Sequence, residues 1–374
     1  MRNFVNTTYS RDDVLVVLKD LSGSMEAMDT EAREKMIQSG VHYSEMLPLE
    51  YKPTDDYIQI YNNSLESMSK HTALCTAVLA EKLLVKHGGR FVIVSLARAG
   101  IPVGILVRRY IKMKYNMDIP HYSISIIRGR GIDVNAMEFI KNDCKDIGVE
   151  HFQFLDGWTG KGAISRQLSE AVEEMKRDNA GWDNLSDDLA VLADPANICK
   201  YAGTYTDFLI PSACLNGTVS GLISRTILRD DLIDVVGGDF HGAVYFGDLK
   251  DEDRSIEFID TVTEHFATIT FNEMAYALRK AQYTPGMTGM ELVRGIADEY
   301  EIDDINLIKP GVGETTRVLL RRVPWRVLID TSHGDKEGLD HIIRLCEEKN
   351  IPVFEHDLGN YKACGIIKDL SADA

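Results

Sequence analysis

Three glycine-bearing loops hold the residues best suited to chemistry. The first is FLDGWTGKGA, 154–163, where an apolar run ends on Asp156 and Gly157, Trp158, Thr159, Gly160, Lys161 and Gly162 follow before a helical pattern begins. Glycines let a backbone turn tightly with its N–H groups aimed inward, and the N-terminus of the next helix adds about half a positive charge. Thr159 adds a hydroxyl donor. Asp156 at the strand tip can accept from sugar hydroxyls or hold water around a magnesium ion. The arrangement reads as a phosphate cradle, although it is not a Walker loop, which needs GxxxxGK[ST]. The plainer alternative is a glycine-rich turn ahead of a capped helix.

The second loop is SLARAGIPVG, 95–104, again directly after an apolar run. Arg98 sits among small residues, Ala99 and Gly100 leave room for close backbone approach, and Pro102 fixes the chain ahead of the next helix. Such a loop suits pyrophosphate, held by backbone amides and a guanidinium; a tight turn with a surface arginine is the alternative. The third is RGRG, 128–131, in which Arg128 and Arg130 on a glycine loop suit a mobile lid over phosphates. A solvated basic loop would have the same composition.

Elsewhere the chemistry is thinner. The six cysteines, Cys75, Cys144, Cys199, Cys214, Cys346 and Cys364, are scattered without a CxxC pair. They read as free thiols of a reducing cytoplasm, with neither a disulfide frame nor a zinc site. Cys214 and His241 form a conceivable nucleophile and base, but neither has a motif around it. The glycine-rich LNGTVSG suits an acceptor site or a second anion loop, and DFHGAVYFGD adds His241; both read better as structural segments. VLVVLKDLSGSM imitates a DxSxS metal site through Asp20, Ser22 and Ser24, and reads better as a capped turn.

The chain has 374 residues and a formal charge of −17. A whole-molecule basic footprint for nucleic acid is therefore absent, and any such contact must be a local patch. No apolar run reaches the roughly 18–20 residues a membrane helix needs, so no membrane partner is expected. The first twenty residues lack a basic segment followed by an uninterrupted apolar core, so no signal peptide is expected.

The elements that must position these loops alternate. Short apolar runs at 91–96, 121–127, 151–157 and 189–194 alternate with helical stretches at 103–115, 134–144 and 163–178. That order predicts an α/β fold, a parallel sheet with helices on both faces, whose ligands bind beyond the C-terminal strand ends. A helix-rich part, about 1–90, precedes it, with helices over 30–40 and 56–87. A boundary is expected near TPGMTG, 284–289, dividing residues 1–285 from a tail over 300–374. The tail reads as a small α/β/α unit: a helix bearing Arg317, Arg321 and Arg322, a strand RVLID, a helix HIIRLCEEKN, a strand IPVFE and a last helix near LGNYKACG. Arg317, Arg321, Arg322 and Arg326 make a local basic cluster able to meet phosphates, or a solvated helix face.

Taken together, the three loops resemble the type I phosphoribosyltransferase family, in the order pyrophosphate loop, flexible loop, ribose-phosphate loop. The resemblance covers about 60–250 and implies a Rossmann-like parallel sheet of that kind. It implies transfer of ribose 5-phosphate from phosphoribosyl pyrophosphate to a small base-like acceptor, with magnesium. Asp156, Arg98, Arg128 and Arg130 would be catalytic. Gly157, Thr159, Gly160, Lys161, Gly162, Ala99 and Gly100 would hold the phosphates, and Asp156 would reach the metal through water. Leu155 departs from the family, which has an acid there. The segment KPGVGETTRVLLRR resembles the opening of the Pelota-type RNA-binding fold, which implies RNA as a partner through Gly311, Glu314, Arg317 and Arg321. Gly313 stands where that fold has Asn. The pairing of these two domains resembles a bacterial family of tellurium-resistance and stress gene clusters, some members of which carry the label cysteine protease StiP. It implies a cytoplasmic, homo-oligomeric enzyme making a nucleoside-like metabolite. A non-catalytic nucleotide sensor or RNA-binding protein is the alternative, and a cysteine protease the less favoured one.

Overall fold

The run FVIVSL is buried from end to end, as a strand covered on both faces requires. A computed structural model describes residues 3–284, 289–330 and 338–369. In it six strands form one parallel sheet: β1 (Leu15–Val16), β2 (Val92–Leu96), β3 (His121–Ile124), β4 (Phe152–Trp158), β5 (Ala190–Ala193) and β6 (Tyr201–Thr204), in the order β1-β3-β2-β4-β5-β6. The expected α/β architecture with a parallel central sheet is present. Strands β1 and β6 were not anticipated: β1 is two residues long, and β6 includes a glycine within a polar stretch.

Strand periodicity assigns each residue to a face. Val92, Val94, Phe152, Phe154 and Val191 belong to one apolar cluster; Ile93, Leu155, Ala190 and Leu192 belong to another. Two long helices cover the second face, α1 (Asp55–His87) and α2 (Gly100–Tyr115). The first face is covered by α3 (Val134–Asp143) and α4 (Ala163–Asp178). In α4, Leu168, Ala171, Val172 and Met175 recur at i, i+3, i+4 and i+7, which makes the buried stripe. Gly88, at φ 63, closes α1 in the left-handed region.

The tail has its own sheet of four strands: β7 (Ile308–Pro310), β8 (Pro324–Asp330), β9 (Val353–His356) and β10 (Ala363–Ile367). Their order is β7-β10-β8-β9, with β10 antiparallel to both neighbours and β8 parallel to β9. Helix α5 (Gly289–Glu299) lies on one face; α6 (Val312–Arg321) and α7 (Asp340–Glu348) lie on the other. The last helix expected near LGNYKACG is absent, and β10 occupies its second half. A short apolar run after a turn at Gly359 carries no periodicity able to separate helix from strand, and two vacant strand edges decide it. Residues 285–288 of the expected boundary lie outside the described residues.

The two sheets share one core. Val312, Leu319, Val327 and Ile329 of the tail belong to the same apolar cluster as Val78, Ile101 and Leu155. The DxSxS stretch is a capped turn, as read: Ser22 N donates to Asp20 Oδ1 at 2.9 Å. Among the described residues no helix is long and apolar enough to cross a membrane.

One close approach in the core is a direct test. A Cβ placed on Gly100, in the first turn of α2, would overlap the carbonyl oxygen of Leu155 in β4. Gly100→Ala is expected to cost about 1–3 kcal/mol by overpacking. Urea denaturation measures it, and an unchanged midpoint would contradict this packing.

Candidate functional site

Asp207 follows β6 and is 4% exposed. Its two carboxylate oxygens accept from Val312 N at 3.0 and 2.9 Å, and Oδ2 accepts from Lys362 N at 2.9 Å. Helix α6 starts after Gly311, which has no side chain to cap it. The main domain thus supplies the cap, and a carboxylate at a helix N-terminus is favourable. Burial nevertheless pushes the Asp207 carboxyl up to about 6. Nearby, Tyr361 OH donates to Gly160 O at 2.6 Å, and Lys161 Nζ donates to Ile305 O at 2.7 Å.

These contacts determine what the glycine loop faces. Gly157–Gly162 lies against the tail. Trp158 carries the Arg317 guanidinium 4.7 Å from its ring centre, and its indole N–H donates to Glu314 Oε1 at 3.4 Å. Thr159 Oγ1 donates to Asp194, which also caps the turn at 198–199. Trp158, Thr159, Gly311 and Glu314 line only a narrow space between the two sheets. Asp156 accepts from Gly157 N at 2.8 Å, and burial pushes its carboxyl up to about 7 against the pull of Arg317. Ala99 is the N-terminal boundary of α2, and Gly100 abuts β4.

The RGRG loop differs from the mobile lid expected of it. It turns between an antiparallel pair, Ile126–Ile127 and Gly131–Ile132. Gly129 N donates to Gln167 Oε1 at 2.6 Å, Arg128 N donates to Tyr43 Oη at 2.9 Å, and Arg130 pairs with Glu45. Five anchoring partners from outside the turn hold it, counting the Leu228 carbonyl that accepts from Arg130 at 3.1 Å and the His42 Nε2 that lies 3.1 Å from Arg128 O.

Arg98, Arg317 and Arg321, expected to serve different ligands, line one cavity of about 590 Å³, joined by Arg225, Lys309 and Arg322. Arg98 donates to Ile223 O at 3.0 Å, with Glu50 3.9 Å away. Arg317 donates to Ala213 O at 3.0 Å; Arg321 donates to Cys214 O at 2.9 Å and to Asn216 Oδ1 at 2.5 Å. Arg317 and Arg321 therefore face the main domain, whereas Arg326 of the expected cluster lies over the Trp325 ring, 3.6 Å from its centre. Burial lowers the Arg225 guanidinium to about 10, with Arg98 and Arg33 adding repulsion. Sequence reasoning missed Arg225 and Lys309; an arginine directly after a small residue, Ser224 before Arg225 as Ala97 before Arg98, was the available signal. Among the described residues no three His, Cys, Asp or Glu side chains are grouped to hold a metal.

All six thiols are buried. Cys214 and His241 do not pair: Cys214 Sγ lies 3.6 Å from Ser64 Oγ, and His241 Nδ1 lies 2.9 Å from Ser125 Oγ. A thiol meets an imidazole at Cys75 and His71, with Sγ and Nε2 3.5 Å apart. Burial pushes Cys75 up to about 12 and Cys214 up to about 11.

Comparisons with known proteins correct the expected activity. Residues 7–263 match the family model described as tellurite-like stress resistance cysteine protease StiP, and residues 287–369 match the PELOTA RNA binding domain. A protein of Acinetobacter baylyi (strain ATCC 33305 / BD413 / ADP1), described as cysteine protease StiP, is 33% identical over 371 residues, covering 97% of this chain and 94% of its own. No solved structure matches. Family and relative both point to a cysteine protease, which overturns the phosphoribosyltransferase, its glycosyl transfer and its nucleoside-like product. The expectations of phosphoribosyl pyrophosphate, a base-like acceptor and magnesium rested on that resemblance alone. The structural counterpart is the tail seated over the glycine loop.

Asp207 gives a pH signature. In the folded chain its carboxyl keeps a proton to about pH 6, whereas in the unfolded chain it releases it near 3.8. The native state binds more protons in that window, so stability falls as pH rises through it, by roughly 3 kcal/mol. Asp207→Asn cannot titrate. Chemical denaturation between pH 4 and 7 is expected to show the wild type losing that much relative to the variant; parallel curves would refute the buried carboxylate.

Proposed function

Because the chain belongs to the family described as tellurite-like stress resistance cysteine protease StiP, we propose that it is a thiol-dependent peptidase serving stress resistance, with Cys75 as nucleophile and His71 as base. The observation that carries the assignment is the 3.5 Å separation of Cys75 Sγ and His71 Nε2. The two residues stand four apart on α1, so one helical turn brings the side chains together. The His71 ring is exposed and meets Phe208 edge-on, with centroids 4.6 Å apart and planes at 85°.

The chemistry follows from a neutral resting pair. Burial keeps Cys75 protonated at neutral pH. Attack therefore couples two transfers: the sulfur bonds to the peptide carbonyl carbon while its proton passes to His71 Nε2. The leaving amine then takes that proton as the C–N bond breaks, and water hydrolyses the thioester. Cys75 is 3% exposed, so a carbonyl reaches the sulfur only when the His71 and Phe208 rings part, which puts a conformational step ahead of chemistry.

The tail supports a second reading, contact with RNA, favoured by its match to the PELOTA RNA binding domain. With Arg317 and Arg321 bonded to main-domain carbonyls, Arg322 and Lys309 are the cations nearest to hand.

Cleavage of fluorogenic peptides tests the first reading. Cys75→Ser is expected to abolish it, His71→Gln to slow it by about 10²–10⁴-fold, and Cys214→Ala to leave it in place. Alkylation of Cys75 by iodoacetamide is expected to rise about tenfold per pH unit from 7 to 9, as the thiolate fraction does. Full cleavage by Cys75→Ser would end the assignment.

A further inference from the structure

A protein of net charge −17 lines one cavity with eight cationic side chains against two carboxylates, Glu50 and Glu314, and among the described residues only the exposed Lys52 finds a further carboxylate, on Glu252 beyond the lining. Apart from the exposed Arg322, the arginines are withdrawn from solvent. The Arg98 side chain is 19% exposed, and its nearest carboxylate, on Glu50, is 3.9 Å away. Arg225 faces the Tyr43 ring, 5.7 Å from its centre, and Arg33 keeps a buried Nε without a hydrogen-bond partner. Arg317 and Arg321 each spend donors on neutral carbonyls, which orient the guanidinium planes; Arg317 also pairs with Glu314 at 3.4 Å, while the Arg321 bonds to Cys214 O and Asn216 Oδ1 leave its charge in place.

The cavity has two walls. Arg98 and Arg225 come from loops of the main domain, while Lys309, Arg317, Arg321 and Arg322 come from β7, α6 and the residue after α6. Neither wall is cationic enough by itself to explain the crowding, and docking the tail brings the two together. Burial lowers the proton affinity of Arg98, Arg225 and Arg321; repulsion from Arg98 and Arg33 adds to it at Arg225, whereas Glu50 opposes it at Arg98 and Glu50 and Tyr57 oppose it at Arg321. Like charges held this close suit an anionic ligand.

We propose that the cavity binds a compact polyanion carrying two or more adjacent phosphoryl groups, clamped between the main domain and the tail. Planar guanidinium forks match phosphoryl oxygens in pairs. The volume of about 590 Å³ is in the range of small-molecule sites. A nucleic-acid strand would need an open track with successive stacking surfaces; here the walls converge from two domains. The same phosphoryl chemistry is offered by free polyphosphate and by the triphosphate of a nucleotide. This site is independent of the Cys75 pair and does not rest on peptidase activity.

Isothermal titration of the full chain as Cys75→Ser, at low salt, tests it with inorganic tripolyphosphate, ATP, sulfate and a single-stranded RNA 12-mer. One tripolyphosphate site per chain is expected, at least about a hundredfold tighter than sulfate. Equal affinity for ATP identifies free phosphate as sufficient; tighter ATP identifies a nucleotide, and both outcomes support the clamp. Arg225→Gln and Arg321→Gln are expected to weaken binding about tenfold to a hundredfold each, and Lys309→Gln provides the same test with less burden on folding. Arg177→Gln, a surface arginine paired with Asp178, is the control. Binding no tighter than sulfate, equal loss in the control, or binding of the RNA with none of tripolyphosphate would each overturn the proposal.

Discussion

A carboxylate capping a helix more than a hundred residues further along the chain holds this molecule's two halves together. Asp207 accepts both Val312 N and Lys362 N, so it secures the start of α6 and the approach to β10 at once. An unpaired backbone donor buried at that interface would cost a free energy comparable to a lost hydrogen bond. The cap and the continuous apolar cluster beneath it make the tail part of the main core rather than an appendage on a linker.

The function of each loop follows from that docking. A glycine bend after a strand is suited to phosphate only if its amides look into a space a ligand can fill. Here Tyr361 donates to Gly160 O and Lys161 reaches Ile305 O, so the bend serves the interface. The positive residues beside it are drawn into a different space. Arg98 from the loop after β2 and Arg317 and Arg321 from the tail converge on one cavity that belongs to neither half alone. Repulsion within that cavity and attraction at the cap act against each other, which makes the domain seam the place where a bound anion has most to contribute.

Much of the architecture was legible in the residues. FVIVSL and HFQFLDG lie in strands because short runs of large apolar side chains have no other way to bury both faces, and α4 announced its stripe at 168, 171, 172 and 175. LGNYKACG misled because a five-residue apolar run has no period to read, and its partners, β7 and β8, are set by the tertiary fold. The site was less legible for the same reason. The three loops do follow strands, although β4 runs on through Gly157 and Trp158 before the first turn begins. A loop's ligand, however, depends on what stands opposite it. Nothing in FLDGWTGKGA encodes the tail that covers it, and nothing near Cys75 marks it as more than core: the imidazole comes from one turn of α1 and the aromatic edge from Phe208.

Amide hydrogen exchange read by mass spectrometry tests the seating of the tail most directly. In the full chain, the segment 310–322 is expected to exchange as slowly as 152–158 of the central sheet, because Asp207 and the shared core protect it. Exchange of 310–322 as fast as the exposed helix 271–280 would show the tail undocked in solution, and the account of both the covered loop and the cationic cavity would fall with it.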